Sequence, residues 1–316
     1  MLQVQKADFD DAVAPDEVII DVKYSGINFA DIMMRLGLYR DAPKKPFIPG
    51  YEVSGVVAKV GSAVTKFKVG DEVMAGTRFG GYVNCIKLPD WQVLNLPEGF
   101  NLQEGAALPV NFITAYIALQ EFGRIRQGDK ALIDSATGGV GVVFLQMCQQ
   151  AGASAVGLTT TPAKKEFIES FGATAYSREE FDQSDEKDFD FILNSSGGKT
   201  LKAQYQLLSK SGKLCCIGLQ SMIKNGRGGF FSMLRAALAS PWFPILKLVV
   251  ESKSVSGFNA LKYFDDEPWM KKHLYQIEKT NIRPHIGDIF KASEAAQAHE
   301  HLQQRKAKGK VLLQWD

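Results

Sequence analysis

Hydrophobic and polar positions alternate in short runs over the first third of the chain. Segments Glu17–Lys23 and Gly55–Val60 alternate in this way, whereas Thr65–Val73 and Gly80–Ile86 place glycines among β-branched and aromatic residues. Alternation is typical of half-buried strands, and glycine within such runs suits a strongly bent sheet. Residues 1–108 are therefore predicted to form a small β-rich domain.

From about Pro109 short apolar runs alternate with amphipathic stretches, and a mixed pattern returns after residue 254. The predicted strands are Lys130–Asp134, Ser154–Leu158, Phe189–Leu193, Lys213–Ile217 and, at the end of the chain, Gly309–Trp315; the predicted helices are Val140–Gln150, Ala163–Ser170, Lys199–Leu208 and Ser293–Gln303. Strands that alternate with helices indicate a parallel sheet with helices on both faces. Residues 109–254 are predicted to form this doubly wound domain, and residues 255–316 to complete the first one.

Composition and charge narrow the class of protein. The 316 residues include 37 basic and 35 acidic side chains, a net charge of +2, which offers no general field for a polyanion. Nucleic-acid binding is therefore not expected. The four cysteines show no metal-ligand spacing, and the acidic first 25 residues have no signal-peptide pattern. A reduced, cytoplasmic protein is expected.

A glycine-rich loop lies between the first predicted strand and the first helix of the doubly wound domain. It runs Ser135-Ala-Thr-Gly138-Gly139-Val140-Gly141. Such a loop lets the backbone approach a diphosphate, while the helix N-terminus supplies N–H donors and a positive dipole end. Because the loop follows a strand and opens a helix, it predicts a dinucleotide site rather than only a structural turn.

The residues after the next predicted strand bear on which dinucleotide binds. An NAD site usually ends this strand with an acid that accepts from the ribose 2′-OH. Here the segment carries Thr159, Thr160 and Thr161, followed by Lys164 and Lys165. Hydroxyls and cations without an acid favour a 2′-phosphate, and so NADPH. The alternative is that Thr161 merely starts the next helix and that the lysines are solvated.

Residues 229–250 are the most apolar segment of the chain. Arg235, Pro241, Pro244 and Lys247 interrupt it, so a transmembrane helix is not expected. One interpretation is a buried helix pair or lid. The other is a patch that engages a membrane surface or a protein partner.

Several motifs, read in order, resemble the medium-chain dehydrogenase/reductase superfamily over nearly the whole chain. They are Ser25–Asp31, Gly37–Tyr39, Pro49–Gly55, Val69–Val73, Glu104–Pro109, Phe112–Tyr116 and the Gly138–Gly141 loop. Within the superfamily the chain is most similar to zinc-independent quinone oxidoreductases, and among these to the vesicle amine transport protein homologues. Val110–Tyr116, Ile282–Ile286 and Gly309–Leu313 carry that closer similarity.

The resemblance implies a GroES-like catalytic domain, an inserted Rossmann domain, a cleft between them and a homodimer. It also implies NADPH-dependent reduction of a quinone or an α,β-unsaturated carbonyl. Zinc-dependent relatives carry Cys where this sequence has Asn28 and His where it has Tyr51, so no metal is expected. Relatives usually have a further strand ahead of Leu2, so this sheet edge is expected to be shorter.

Candidate site residues follow from the resemblance and from the glycine loop. Asn28, Asp31 and Tyr39 are the catalytic candidates, although Asn28 could instead hold a turn, Asp31 cap a helix and Tyr39 simply pack. The cofactor-binding candidates are Asn111, Thr114, Ser135, Gly138, Gly139, Val140, Gly141, Thr159, Thr160, Lys164, Ser195, Gly218 and Phe258. The competing hypothesis is a non-enzymatic NADPH-binding protein that engages a membrane or a partner through residues 229–250.

Overall fold

The computed structural model describes residues 2–220 and 240–316. The chain divides into two compact units, the first formed by residues 1–113 and 261–316 and the second by residues 114–260. The fold class predicted from the sequence, a GroES-like β-rich domain plus a Rossmann-type parallel sheet, is confirmed. The domain boundaries predicted at residues 109 and 255 stay a prediction.

The N-terminal stretch contains most of the strands of the first unit. Its strands are β1 (Glu17–Ile27), β2 (Glu52–Val60), β3 (Glu72–Gly76), β4 (Cys85–Pro89) and β5 (Val93–Asn95), and its helices are α1 (Phe29–Arg35), α2 (Leu102–Ala107) and α3 (Pro109–Tyr116). The chain passes into the second unit within α3.

The second unit alternates strands and helices. Its strands are β6 (Lys130–Ile133), β7 (Ser154–Thr159), β8 (Thr174–Ser177), β9 (Phe189–Asn194), β10 (Leu208–Cys216) and β11 (Ser254–Gly257), and the helices among them are α4 (Gly139–Gln150), α5 (Lys165–Glu169), α6 (Arg178–Asp182), α7 (Lys199–Gln206) and α8 (Ile245–Glu251). A π-helix, Ile117–Gly123, precedes β6.

The remaining elements return to the first unit. They are α9 (Ala260–Phe264), α10 (Glu267–Glu278), β12 (Ile286–Lys291), α11 (Ala295–Gln303) and β13 (Lys310–Gln314). The sheet of this unit has the order β12-β13-β1-β2-β3-β5, and β4 also pairs with β1. Strand β1 is therefore central, with the C-terminal strand β13 antiparallel to it on one side.

The core of the first unit follows from the period of two along its strands. Val18, Ile20 and Val22 of β1 point to one face, where Val53 and Val57 of β2 join them, and all five are essentially buried. Alternation in the sequence thus becomes a layer of apolar side chains on one side of a bent sheet.

The parallel sheet of the second unit has the order β11-β10-β9-β6-β7-β8, which is the Rossmann order. Strands β6 and β9 lie at its centre and are apolar and almost fully buried. The order reverses between β6 and β9, and parallel sheets of this kind bind ligands at such a point, beyond the carboxyl ends of the strands.

Several predicted elements differ from the observed ones. Only the last two residues of Thr65–Val73 enter a strand, because Asp71 N–H donates to Lys68 O and closes a turn there. Likewise only the end of Gly80–Ile86 is a strand. Strand β8 and helix α6 were not predicted, because four residues, Thr174–Ser177, give too short an apolar pattern to detect.

A buried histidine joins the last helix of the first unit to the segment that precedes β4. His299 of α11 is fully buried, and its Nε2 lies 3.0 Å from the Tyr82 hydroxyl. Burial, and secondarily the charge of Arg35, lowers the pKa of His299 to about 3. The imidazole is therefore neutral in the folded protein near neutral pH.

We expect this histidine to make stability depend on pH. Between about pH 6.5 and 3 the unfolded chain binds a proton at His299 that the folded chain does not, so the contribution of His299 to the free energy of unfolding falls with decreasing pH in this window. Asp31, whose pKa burial raises from 3.8 to about 7, contributes in the opposite direction between those values. The His299 contribution has a full slope of about 1.4 kcal/mol per pH unit. Urea unfolding of the wild-type protein and of His299→Leu between pH 7 and 5 isolates it: the wild-type free energy of unfolding minus that of the variant should fall with the pH, and a constant difference would contradict the assignment.

Candidate cofactor and active site

The glycine loop of the second unit connects β6 to α4. Gly138 is the N-cap, and the first intrahelical bond runs from Val142 N–H to Gly138 O at 2.9 Å. The N–H groups of the residues between them precede that bond and have no acceptor within the helix. On the other side of the loop, Ser195 Oγ after β9 donates to Ser135 Oγ at 2.7 Å.

Gly141 has no space for a side chain. A Cβ at this position would lie 2.3 Å from Ser135 O and 2.8 Å from the Cα of Ala136. At Gly138 the nearest atom to a Cβ is 3.5 Å away, an ordinary contact. Helix α4 therefore packs directly on the turn at Gly141, which places the helix N-terminus at the carboxyl edge of the sheet.

The predicted 2′-phosphate residues lie at the end of β7. Thr159 is buried, and its hydroxyl accepts from Thr161 N–H at 3.1 Å, whereas Thr160 is exposed. Thr161 is the N-cap of the short 3-10 helix Pro162–Lys164, as the alternative expects. Lys165 pairs with Glu180 at 2.8 Å on the surface, whereas Lys164 is buried and so is not a freely solvated lysine. The hydroxyl of Thr159 helps to hold the turn.

The cofactor candidates Gly218 and Phe258 lie in different parts of the second unit. Gly218 lies against Ser195, since a Cβ on it would be 2.7 Å from Ser195 O. Phe258 stacks on Phe122 of the π-helix, with ring centroids 5.1 Å apart. The structure thus joins Gly218 to the loop through Ser195, while Phe258 packs in a ring pair of its own.

Asn111 and Thr114 lie on α3, on either side of the division between the units. The amide of Asn111 donates to Ala107 O at 2.8 Å and the residue is 2% exposed, so this side chain is held by its own helical segment. Thr114 is partly exposed.

A charged network at the carboxyl edge of the parallel sheet was not predicted from the sequence. Asp134, directly before the loop, is buried, and its Oδ1 accepts from Arg178 Nη2 at 2.6 Å and from Gln204 Nε2 at 3.1 Å. Its Oδ2 accepts from Ser196 N–H at 3.0 Å. The available signal was a carboxylate at the end of an apolar strand, immediately before a glycine loop.

In the first unit the Asn28 side chain faces a buried ion pair. Asn28 is the N-cap of α1, yet its amide does not cap the helix. Its Oδ1 accepts from Lys310 Nζ at 2.6 Å, and its Nδ2 donates to Glu52 Oε1 at 2.9 Å. The two contacts have opposite polarity, so only one orientation of the amide satisfies both.

Glu52 and Lys310 form that ion pair almost entirely out of water, with 0% and 3% of their side chains exposed. The second carboxylate oxygen of Glu52 accepts from Val110 N–H at 2.8 Å. A buried charge pair persists when its remaining hydrogen-bonding groups also have partners. Both residues lie within motifs of the sequence analysis, but neither was singled out as a site residue.

Asp31 has a backbone-holding role in the structure. Its carboxyl group accepts from Asn28 N–H at 2.8 Å and from Gly50 N–H at 2.9 Å, and the side chain is fully buried. Burial raises the pKa of Asp31 to about 7, against the lowering effect of these two hydrogen bonds. Gly50 has φ +101°, and a Cβ there would lie 2.6 Å from the Tyr82 ring.

Tyr39 packs in a small apolar cluster with Met34, Tyr51 and Leu261. Tyr51 is buried, and its hydroxyl donates to Met34 Sδ at 3.4 Å. Burial raises the pKa of the Tyr51 phenol, so it stays protonated.

Within residues 2–220 and 240–316, no group of three or more His, Cys, Asp or Glu side chains is placed to hold a metal ion. The absence of bound zinc stays a prediction.

Two family models match the chain: the alcohol dehydrogenase GroES-like domain over residues 14–98 and the zinc-binding dehydrogenase family over residues 169–313. The zebrafish (Danio rerio) synaptic vesicle membrane protein VAT-1 homolog is 34% identical, over 99% of this chain and 66% of its own length. A probable quinone oxidoreductase of Schizosaccharomyces pombe is 31% identical, over 95% of this chain and 89% of its own.

The chain belongs to the medium-chain dehydrogenase/reductase superfamily. Among solved structures, the quinone oxidoreductase from Thermus thermophilus, also determined in complex with NADPH, superposes with a TM-score of 0.77 at 28% identity, covering 98% of this chain and 95% of that one. The superfamily's GroES-like and Rossmann folds therefore account for both units described above.

This member of the superfamily leaves an apolar surface exposed near β11. Of the predicted apolar segment, residues 229–239 lie outside the described residues. In the remainder Trp242, Ile245, Leu246, Val249 and Val250 are each at least 68% exposed. No helix in the described ranges is long and apolar enough to cross a membrane.

We expect Gly141→Ala to destabilise the protein by roughly 1–3 kcal/mol, because the new methyl group would overlap backbone atoms that cannot move away. Gly138→Ala is the matched control, since its methyl group meets only an ordinary contact at a φ of −83°. Urea unfolding of both variants measures the difference. Equal stabilities would show that the loop yields at Gly141.

Proposed function

We propose that this chain is an NADPH-dependent oxidoreductase that transfers hydride to a quinone or an α,β-unsaturated carbonyl without zinc. The observation that carries the proposal is the glycine loop between β6 and α4 of the second unit, where the helix packs directly on the turn at Gly141. The fission-yeast relative is named a probable quinone oxidoreductase, and the Thermus enzyme was solved with NADPH. These names support the proposed reaction class.

The second unit fits a dinucleotide. The diphosphate would be held by the N–H groups of Gly139, Val140 and Gly141, which have no intrahelical acceptor, together with the Ser135 hydroxyl. A backbone site of this kind binds a negative group without a specific side chain. Ser195 and Gly218 line the neighbouring strand ends, where the nicotinamide ribose would lie.

The end of β7 supports NADPH over NADH. Residues 160–165, directly after Thr159, include no acid that would repel a 2′-phosphate or prefer a free 2′-OH. We assign the exposed Thr160 hydroxyl and Lys164 to this phosphate.

The first unit supplies a donor for the acceptor's oxygen. When bound, the nicotinamide supplies the hydride, and the acceptor's oxygen gains negative charge. Asn28 is held by Lys310 and Glu52 so that one of its two amide hydrogens is used, and within the described chain the other has no acceptor. The ammonium at Oδ1 also polarises the amide, which strengthens that N–H as a donor to a developing oxyanion.

Asp31 and Tyr39 have different roles beside the Asn28 donor. Asp31 holds the main chain of Asn28 and of Gly50, so we assign it to positioning the donor. Tyr39 packs beside Tyr51, and its hydroxyl is the second candidate donor to the acceptor. Donation from positioned, uncharged groups stabilises negative charge without a metal.

The second candidate function is a non-enzymatic NADPH-binding protein that engages a membrane surface or a partner. The exposed side chains from Trp242 to Val250 favour it, and the zebrafish relative is named a synaptic vesicle membrane protein homolog. The two functions differ in whether acceptors oxidise bound NADPH. NADPH that binds but is oxidised by no benzoquinone, naphthoquinone or enal would favour the second function.

We expect Asn28→Ala to lower kcat/KM by roughly 10- to 1,000-fold, the range for a lost donor to an oxyanion. NADPH oxidation with a quinone or an enal as acceptor, followed by stopped flow under single-turnover conditions, measures it. Asn95→Ala is the control, because Asn95 also donates an amide hydrogen to a glutamate, Glu278, but on the surface of the first unit. A wild-type rate in Asn28→Ala would remove Asn28 from the chemistry.

We expect NADPH to bind more tightly than NADH, and Lys164→Ala to weaken NADPH selectively by roughly 1–3 kcal/mol, as for a lost charge-assisted hydrogen bond. Titration of each cofactor by fluorescence quenching measures both affinities. Tighter or equal binding of NADH by the wild-type protein would overturn the preference.

A further inference from the structure

Arg178 is anchored across three strand ends of the Rossmann sheet. It is the first residue of α6, directly after β8, yet its Nη2 donates to the Asp134 carboxylate at 2.6 Å and to Asp134 O at 2.8 Å, just after β6. The same nitrogen lies 3.3 Å from Ser196 Oγ, beyond β9. Because β7 lies between β6 and β8, the side chain must cross the carboxyl end of β7.

The anchoring contacts leave part of the guanidinium available. All the side-chain hydrogen bonds of Arg178 within the described chain use Nη2, so Nε and Nη1 retain their hydrogens for another acceptor. The side chain is 26% exposed while that of Asp134 is 0% exposed. The buried carboxylate therefore holds the guanidinium through Nη2, in a side chain that is not fully buried.

The shape of the guanidinium suits an anion at Nε and Nη1. A guanidinium presents its N–H groups as a planar fork, which matches carboxylate and phosphate oxygens. The neighbouring cation Lys165 is already paired with Glu180 at 2.8 Å. In a Rossmann sheet the adenosine 2′ position lies at the carboxyl end of the second strand, which here is β7, the strand that Arg178 crosses.

We propose that Arg178 binds the adenosine 2′-phosphate through Nε and Nη1, and that Asp134 is the positioning residue that holds its guanidinium in place. This inference rests on the proposed function, since it requires a dinucleotide in the glycine loop. It adds a selectivity residue that the sequence analysis did not identify, and it assigns a purpose to a buried acid just before the loop.

The experiment must separate lost binding from lost folding, because Arg178→Gln alone leaves Asp134 buried without its cation. We therefore compare the wild-type protein with Arg178→Gln alone and with Arg178→Gln combined with Asp134→Asn, which keeps the shape of residue 134 and removes its unpaired charge. Relative to the wild-type protein, both variants should raise the Kd for NADPH about 10- to 100-fold and change the Kd for NADH less than about threefold. Isothermal titration calorimetry with each cofactor measures the six constants.

Lys130→Gln is the matched control. Lys130 is also a paired cation of this sheet, 2.7 Å from Glu186, but it lies at the opposite end of β6. Its loss should leave both cofactor affinities unchanged. Circular dichroism and unfolding midpoints of each variant verify that the second unit is folded.

Two results would overturn the assignment. Equal weakening of NADPH and NADH would show that Arg178 acts only through the fold, and unchanged NADPH affinity would show that it contacts no phosphate. Both differ from failure of the proposed function, in which the wild-type protein binds neither cofactor. That last result would overturn this inference as well.

Discussion

The buried pair between Glu52 and Lys310 is the interaction on which the first unit depends. The two residues are 258 positions apart in the sequence, and their charges meet where almost no water reaches. Removing either partner would leave an uncompensated charge in the interior, a change that typically costs about 3–5 kcal/mol. The pair therefore requires β2 and the C-terminal strand β13 to stay in register on the two sides of β1.

The same pair couples the sheet to the candidate chemistry. One carboxylate oxygen of Glu52 accepts a hydrogen bond from the Asn28 amide and the other accepts one from Val110 N–H, while Lys310 donates to the side-chain carbonyl of Asn28. An asparagine at the N-cap would ordinarily turn its oxygen onto the helix. Here Asp31 accepts the N-cap N–H instead, which leaves the Asn28 amide to the ion pair. The fold thus orients a polar group that propensity alone would have used for capping.

The sequence predicted what depends on local pattern. Strands β6, β7 and β9, helix α4 and the glycine loop all follow from apolar periodicity and from glycines at a strand-to-helix turn, and the structure contains each of them. The ion pair and the Asp134–Arg178 contact were not predictable in this way, because their partners are distant in sequence. The sequence identifies a charged residue, but it does not identify a partner that only the folded chain brings into contact with it. Arg178 was harder still to identify, because the four-residue strand before it gives little hydrophobic periodicity.

The two units differ in how chain order constrains their assembly. The second unit is one continuous stretch, so its sheet needs only local connections of the β–α–β kind. The first unit is split, and β1 lacks its β13 neighbour until residues 310–314 are in place. Before then Glu52 has no cation, and its burial is unfavourable. Closing the long loop between Glu52 and Lys310 is entropically easier once the intervening 114–260 segment is compact, because folding shortens the flexible chain that must be closed. The Rossmann unit therefore favours completion of the sheet that orients Asn28.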